Sequence, residues 1–333
     1  MKYDDLASED ADFQRFCRFF TELIDENDFC HAYYDSDRKA LIEFRSFEDS
    51  YDKYFFSISP AIRNRYRLGN DNGYIENKVV LDELAEKMEE ARSSSAAKGQ
   101  KNEALVGACK ELMDWGGTKK ENSQTIDRIE KTIGLHWYLE QVEEIAKNCQ
   151  YPFDTEQSRN FFKFHGCELV SNAGFTKIYS LAFRRFIIYD SRVCAAIGWL
   201  CLNYLKSGKK PLPNALKFSM LPGRGGDNRN PSFHQVRFPS GARSTMKVDD
   251  KSYPTYHKHF DGNMRANKLV QYAVENSQSN WLAAFESEAE KFRAIESALF
   301  MIGYDIPHPC VHGGISWCCP PSKETRSRDE KKP

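Results

Sequence analysis

Apolar residues recur at helical spacing over most of this chain. Phe13, Phe16, Cys17, Phe20 and Ile24 follow an i, i+3, i+4 pattern behind Ser8, Glu9, Asp10 and Asp12, which supply a capping hydroxyl and first-turn acids. The pattern predicts further helices over Asn77–Arg92, from Asn102 to Trp115-Gly116-Gly117, over Ser123–Ile133 and over Leu135–Asn148. Gly174–Phe183 predicts a turn entering a short helix. Phe186-Ile187-Ile188-Tyr189 is an extended apolar run that ends on Asp190. Ser191 opens a long amphipathic helix with Val193, Ala196, Ile197, Leu200, Cys201 and Tyr204 on one face, ended by Gly208 and Pro211. One more helix is expected over Asn280–Met301, with Trp281, Phe285, Phe292, Ile295 and Leu299 inward. Tyr33–Tyr66 is aromatic-rich without a clear period, and Pro211–Pro239 is Gly- and Pro-rich loop. Ser93–Gln100 is a small, polar linker, and the charged tail from Pro320 has the composition of a disordered segment. The expected fold is mainly α with little strand.

Composition narrows the class. The chain is 41% hydrophobic and 29% charged, which fits a globular protein and excludes wholesale disorder. No apolar run approaches the roughly 20 residues that span a bilayer, and the N-terminus shows no secretory leader. The ten cysteines are scattered without a CxxC pair, as expected of reduced thiols in a cytoplasmic protein. The net charge of −1 hides an asymmetry. Residues 1–60 carry 15 acidic and 7 basic residues, whereas Lys206–Lys268 carries 13 basic and 4 acidic ones. Such blocks suit one face that meets a polyanion, or two solvated surfaces that neutralise each other.

Asp190 is the first candidate for chemistry. A carboxylate at a helix N-terminus caps the helix. Backed by apolar residues, it can also stabilise a cationic sugar or activate water, as in glycosidic bond cleavage. Trp115, Tyr179 and Tyr189 are candidate pocket aromatics, whereas Trp199, on the long helix, suits the core. Lys217, Arg224 and Arg229 lie in the basic loop, where Gly223, Gly225 and Gly226 allow close approach of backbone N–H groups to phosphates. Cys310, Cys318 and Cys319 stand near His308 and His312, but two adjacent cysteines make poor ligands for one cluster. Neither a metal nor a cofactor is expected.

Asn172–Leu181 followed by Phe186–Val193 resembles a group of bacterial proteins related to the helix-hairpin-helix DNA glycosylases. Trp115-Gly116-Gly117 and Arg229-Asn230-Pro231-Ser232 also resemble that group, and within it the likeness points to bacteriophage replication inhibition DNA glycosylases. The resemblance is specific over Asn172–Gly198, patchy over Trp115–Ser232 and absent from the N-terminal third. It implies a two-lobed helical glycosylase-like fold with a divergent hairpin. The divisions expected are a divergent helical region over 1–100, a glycosylase-like region over 101–319 and the tail over 320–333. It implies Asp190 as the catalytic carboxylate, with Gly174, Thr176, Lys177 and Arg192 on double-stranded DNA and no obligate protein partner. The implied substrate is a bulky modified cytosine of phage DNA, such as glucosylated hydroxymethylcytosine, excised in antiviral defence. The lyase members carry their lysine further upstream than Lys177, which lies 13 residues before Asp190. Lys177 is therefore expected as a phosphate contact or surface residue, and the enzyme as a monofunctional hydrolase. The alternatives are an abasic-site lyase using Lys177 and a non-catalytic helical DNA- or RNA-binding protein.

Overall fold

Phe13, Phe16, Cys17, Phe20 and Ile24 are all buried on one helix, α1 (Ala11–Asp25). The computed structural model describes residues 11–26, 30–35, 39–54, 60–67, 73–93, 101–148, 155–183, 185–205, 211–221, 223, 229–232, 235–239, 245–248, 251–254 and 256–306. Among the described residues it is mainly helical, with 13 helices and little strand. The aromatic-rich stretch after α1 forms an antiparallel hairpin, β1 (His31–Asp35) on β2 (Ala40–Phe44), then α2 (Phe47–Asp52) and α3 (Pro60–Arg65). Next come α4 (Tyr74–Ser93) and α5 (Glu103–Trp115); Asn102 Oδ1 caps the latter by accepting from Leu105 N at 3.0 Å. Then follow α6 (Lys119–Ile133), α7 (Leu135–Asn148), α8 (Thr155–Phe164), α9 (Phe175–Ala182) and α10 (Ser191–Leu205). A second short hairpin, β3 (Thr245–Val248) on β4 (Lys251–Pro254), precedes α11 (Tyr256–Asn276), α12 (Asn280–Ala283) and α13 (Glu288–Ile302). The tail from residue 320 lies outside the described residues.

Two expectations need correction. The helix expected over Asn280–Met301 is broken, because Ser287 starts a new one with a capping box: its hydroxyl accepts from Glu290 N and its N–H donates to the Glu290 carboxylate. Helix α11 was not anticipated, because its inward face carries His259, Asn263, Arg265, Asn267 and Lys268, all buried.

The buried side chains fall into two clusters. One joins α1, the first hairpin, α2, α10 and α13. The other joins α3 through α9. Packing therefore does not divide the chain near residue 100: residues 11–54 belong with the C-terminal half, and α4 packs on α5 and α9. Helix α11 serves both clusters, with Phe260 and Met264 in one and Ala266, Leu269, Val270 and Ala273 in the other. The extended run 186–189 does the same by simple alternation. Phe186 and Ile188 enter the second cluster, and Ile187 and Tyr189 the first.

Helix α13 ends on the first turn of α10. A Cβ built on Gly303 would lie 1.8 Å from the Arg192 carbonyl oxygen, so backbone touches backbone there. Gly303→Ala should force α13 off α10 and destabilise the protein by about 1–3 kcal/mol or more, as overpacking does. Urea unfolding checks this, and an unchanged midpoint would show that the two helix ends are free to part.

Candidate functional site

Asp190 ends the extended run and caps α10. Its Oδ1 accepts from Arg192 N at 2.9 Å and Val193 N at 3.1 Å, while Oδ2 has no hydrogen-bond partner among the described residues. The residue before it is clamped on three sides. Tyr189 N donates to Thr176 Oγ1 at 3.2 Å, and its phenol donates to the Ser219 carbonyl at 2.8 Å. Its carbonyl lies 3.0 Å from His259 Nε2, whose Nδ1 lies 2.7 Å from Ser171 Oγ. With the Ser171 hydroxyl donating to Nδ1, Nε2–H donates to the Tyr189 carbonyl. Burial lowers the His259 pKa to about 4, in keeping with this neutral form.

Where the two clusters meet, Asp190 lines a cleft with Lys177, Glu296, Tyr54, Trp115 and Phe300. Its volume is ≈300 Å³ counted with the mouth, yet only ≈20 Å³ is open to the centre of a water molecule. That interior suits about one water, so anything larger must part the walls. Two of those walls are tied together: Trp115 Nε1 donates to Asn77 Oδ1 at 3.0 Å, and Asn77 Nδ2 donates to the Tyr54 hydroxyl at 3.0 Å.

Lys177, expected at a surface or on a phosphate, is instead buried and lines this cleft. Its Nζ donates to the Ala173 carbonyl at 2.8 Å. Its stem passes so close to Gly116 that a Cβ there would lie 2.6 Å from Lys177 Cδ, which is why Trp115-Gly116-Gly117 needs its first glycine. Glu296 was not anticipated. Its Oε2 accepts from Ile188 N and pairs with Arg293 Nη1 at 2.8 Å. Burial outweighs that ion pair and pushes its pKa up to about 7. One signal in the sequence pointed to it: Glu296 stands in the stripe Phe292, Ile295, Leu299, where an apolar residue is expected.

Other expected site residues stand elsewhere. Tyr179 and Tyr189 are fully buried and do not line the cleft; the Tyr179 hydroxyl is 2.9 Å from that of Tyr138. Gly174 and Thr176 are also buried. The N–H groups of Gly174 and Phe175 donate to Asn172 Oδ1 at 2.8 and 3.0 Å, and Thr176 N donates to the Asn172 carbonyl at 3.0 Å, so this turn offers no such donors to a phosphate. Arg192 is half-buried and lies against the rings of Phe300 and Tyr304, at 4.4 and 4.3 Å from their centroids. Arg229 Nη1 donates to Ser191 Oγ at 2.8 Å, on the first turn of α10. Lys217 is exposed, and Arg224, Gly225, Gly226 and the cysteines and histidines beyond residue 307 lie outside the described residues. Trp199 is in the core.

No protein-family model, no curated protein and no solved structure matches the chain. Among the described residues no group of His, Cys, Asp and Glu side chains could hold a metal, and no helix is long and apolar enough to cross a membrane.

The raised pKa of Glu296 has a consequence for stability. Between about 4.5 and 7 the folded state holds a proton that the unfolded state has released, so this group's contribution is present below pH 4.5 and is lost as pH rises through 7. Glu296→Gln cannot titrate. Its stability relative to wild type should rise over that window by up to about 3 kcal/mol and then level off. Urea unfolding at about pH 5 and pH 8 reads the difference, and parallel curves would mean that Glu296 ionises as it would in water.

Proposed function

We propose that this chain is a DNA glycosylase that receives a base flipped from double-stranded DNA and hydrolyses its bond to the sugar, leaving an abasic site. The observation that carries the reading is the position of Asp190. One carboxylate oxygen is spent on the α10 cap, and the residue lines an aromatic-walled cleft that also contains Lys177 and Glu296. Base excision builds positive charge on the sugar, and a carboxylate already fixed by the α10 cap stabilises that charge without reorganising. The small interior beside Asp190 suits the attacking water. Tyr54, Trp115 and Phe300 supply ring faces for a base once the mouth opens.

The resemblance of the Asn172–Gly198 segment extends the proposal to its substrate: a bulky modified cytosine of phage DNA, such as glucosylated hydroxymethylcytosine, removed in the cytoplasm as antiviral defence. The glycosylase fold itself belongs to this proposal. A second reading has one observation in its favour. Lys177 lies in the same cleft as Asp190, where an amine could attack the sugar and make the enzyme a lyase. Its ammonium is turned back on its own helix turn by the bond to the Ala173 carbonyl, which favours hydrolysis by water.

Asp190→Asn keeps a capping oxygen, so it should cost about 1 kcal/mol or less of stability while lowering base release by at least about a hundredfold. The assay incubates plain and glucosylated hydroxymethylcytosine DNA with the protein and measures free base and abasic sites. Release at the wild-type rate would reduce Asp190 to a cap. In the same assay borohydride should trap no protein–DNA adduct, and strands should break only after alkali; an adduct lost in Lys177→Ala would promote the lyase reading.

The DNA surface is tested on cations that the fold leaves outside. Lys217 and Arg237 are exposed, unlike Arg192 and Arg229. Reversing either charge should lower the slope of log K against log salt by about 1 without altering the fold. If the slope holds, the phosphates lie on another face.

A further inference from the structure

We propose that Glu296 is the proton donor to the leaving base, a second functional carboxyl in the cleft of Asp190; this rests on the glycosylase reading. Glu296 is buried, and it lines the same cleft as Asp190. Its two oxygens are used unequally. Oε2 is committed to Ile188 N–H and Arg293, whereas Oε1 has no hydrogen-bond partner among the described residues.

Holding the Ile188 N–H does not by itself require a carboxyl. One residue earlier in the run, Asn267 Oδ1 accepts from Ile187 N at 2.7 Å and Asn263 Nδ2 donates to the Ile187 carbonyl at 3.2 Å. Neutral amides thus brace this run without a titratable group. At position 296 the chain places a buried acid instead, which burial disfavours in its charged form. The groups that act on it are Arg293 on its own helix, Asp190 ahead of α10, Lys177 on α9, and the phenols of Tyr54 and Tyr74. Burial dominates them, so both forms of the acid are populated near neutrality.

The step balances as follows. The bond between C1′ and the base nitrogen breaks, and its electron pair leaves with the base. The Glu296 O–H gives its proton to the base, which departs neutral, and Glu296 becomes a carboxylate. Water adds to C1′ and gives its proton to the Asp190 carboxylate. Return of that proton to Glu296 resets the site.

Base release is measured for wild type, Glu296→Gln and Asp190→Asn on DNA carrying glucosylated hydroxymethylcytosine, hydroxymethylcytosine or cytosine, from about pH 5.5 to 8.5. Glutamine keeps an acceptor for Ile188 N–H and the shape of the side chain. We expect Glu296→Gln to unfold cooperatively, to lose at least about a hundredfold in kcat near pH 6, and to lose the fall in kcat through about pH 7 that wild type shows. A purely structural Glu296 would leave that pH dependence in place. If Glu296→Gln releases base within about threefold of wild type, or keeps its alkaline limb, the inference fails, while an inactive Asp190→Asn leaves the glycosylase reading standing. If wild type releases no base from any of the three DNAs, that reading fails and Glu296 falls with it. Should Glu296→Gln not fold, the wild-type profile decides: a fall through about pH 7 supports the proton donor, and a flat profile overturns it.

Discussion

The run Phe186–Tyr189 is extended, buried and outside any sheet, and the rest of the structure is built to satisfy it. A buried backbone N–H or carbonyl left unpaired costs about 1–3 kcal/mol, and a strand normally meets that demand through a neighbouring strand. Here side chains do it. Arg293 donates to the Phe186 carbonyl, Asn267 and Asn263 hold both groups of Ile187, Glu296 accepts from Ile188 N, and Thr176 and His259 hold both groups of Tyr189. These partners come from α9, α11 and α13. Each must therefore stand at a fixed distance from the run, and the two hydrophobic clusters are joined along it.

The cleft follows from that arrangement. A run braced by polar side chains cannot also be covered by tight apolar packing on every side. Asp190 stands where the run stops and α10 begins, so its position is set twice, by the clamp on Tyr189 and by the cap. Lys177 comes from α9, one residue after Thr176 of the clamp, and Glu296 is itself one of the braces. The bonded chain Trp115–Asn77–Tyr54 fixes two aromatic walls against each other across helices of the second cluster and the loop after α2. A network of this kind rigidifies a site when every member is satisfied.

Local patterns carried much of this. Helices α1, α5, α6, α7 and α10 follow from apolar period and end signals, and Asp190 stood out because an extended apolar run met a helix start. Glu296 showed only as an acid in an apolar stripe, because its meaning depends on Ile188, 108 residues earlier, and no local rule links the two. Helix α11 was hidden for the same reason. Its inward His259, Asn263 and Asn267 look like solvent residues until the run they serve is placed beside them. Tyr179 and Tyr189 misled in the opposite direction: Tyr179 on α9 is folded into the second cluster, and the extended run carrying Tyr189 sends alternate side chains into both cores. Arg229 shares that lesson, since charge in a basic stretch does not show which guanidinium is folded onto α10, and Arg192, on α10 itself, lies against aromatic rings.

The charge count of the cleft bears on the chemistry proposed for it. Buried ionisable groups are expensive, and a module that only binds nucleic acid gains more from cations on its surface. When the base leaves with the Glu296 proton, the sugar gains one positive charge and Glu296 gains one negative charge beside Arg293, so the total is unchanged. A site with Asp190 alone would have to release the base as an anion, a separation of charge that a low-dielectric space makes least favourable. A second carboxyl that burial favours in its neutral form, beside the capping carboxyl of Asp190, avoids that penalty, and the pairing follows from where α10 and α13 meet the run.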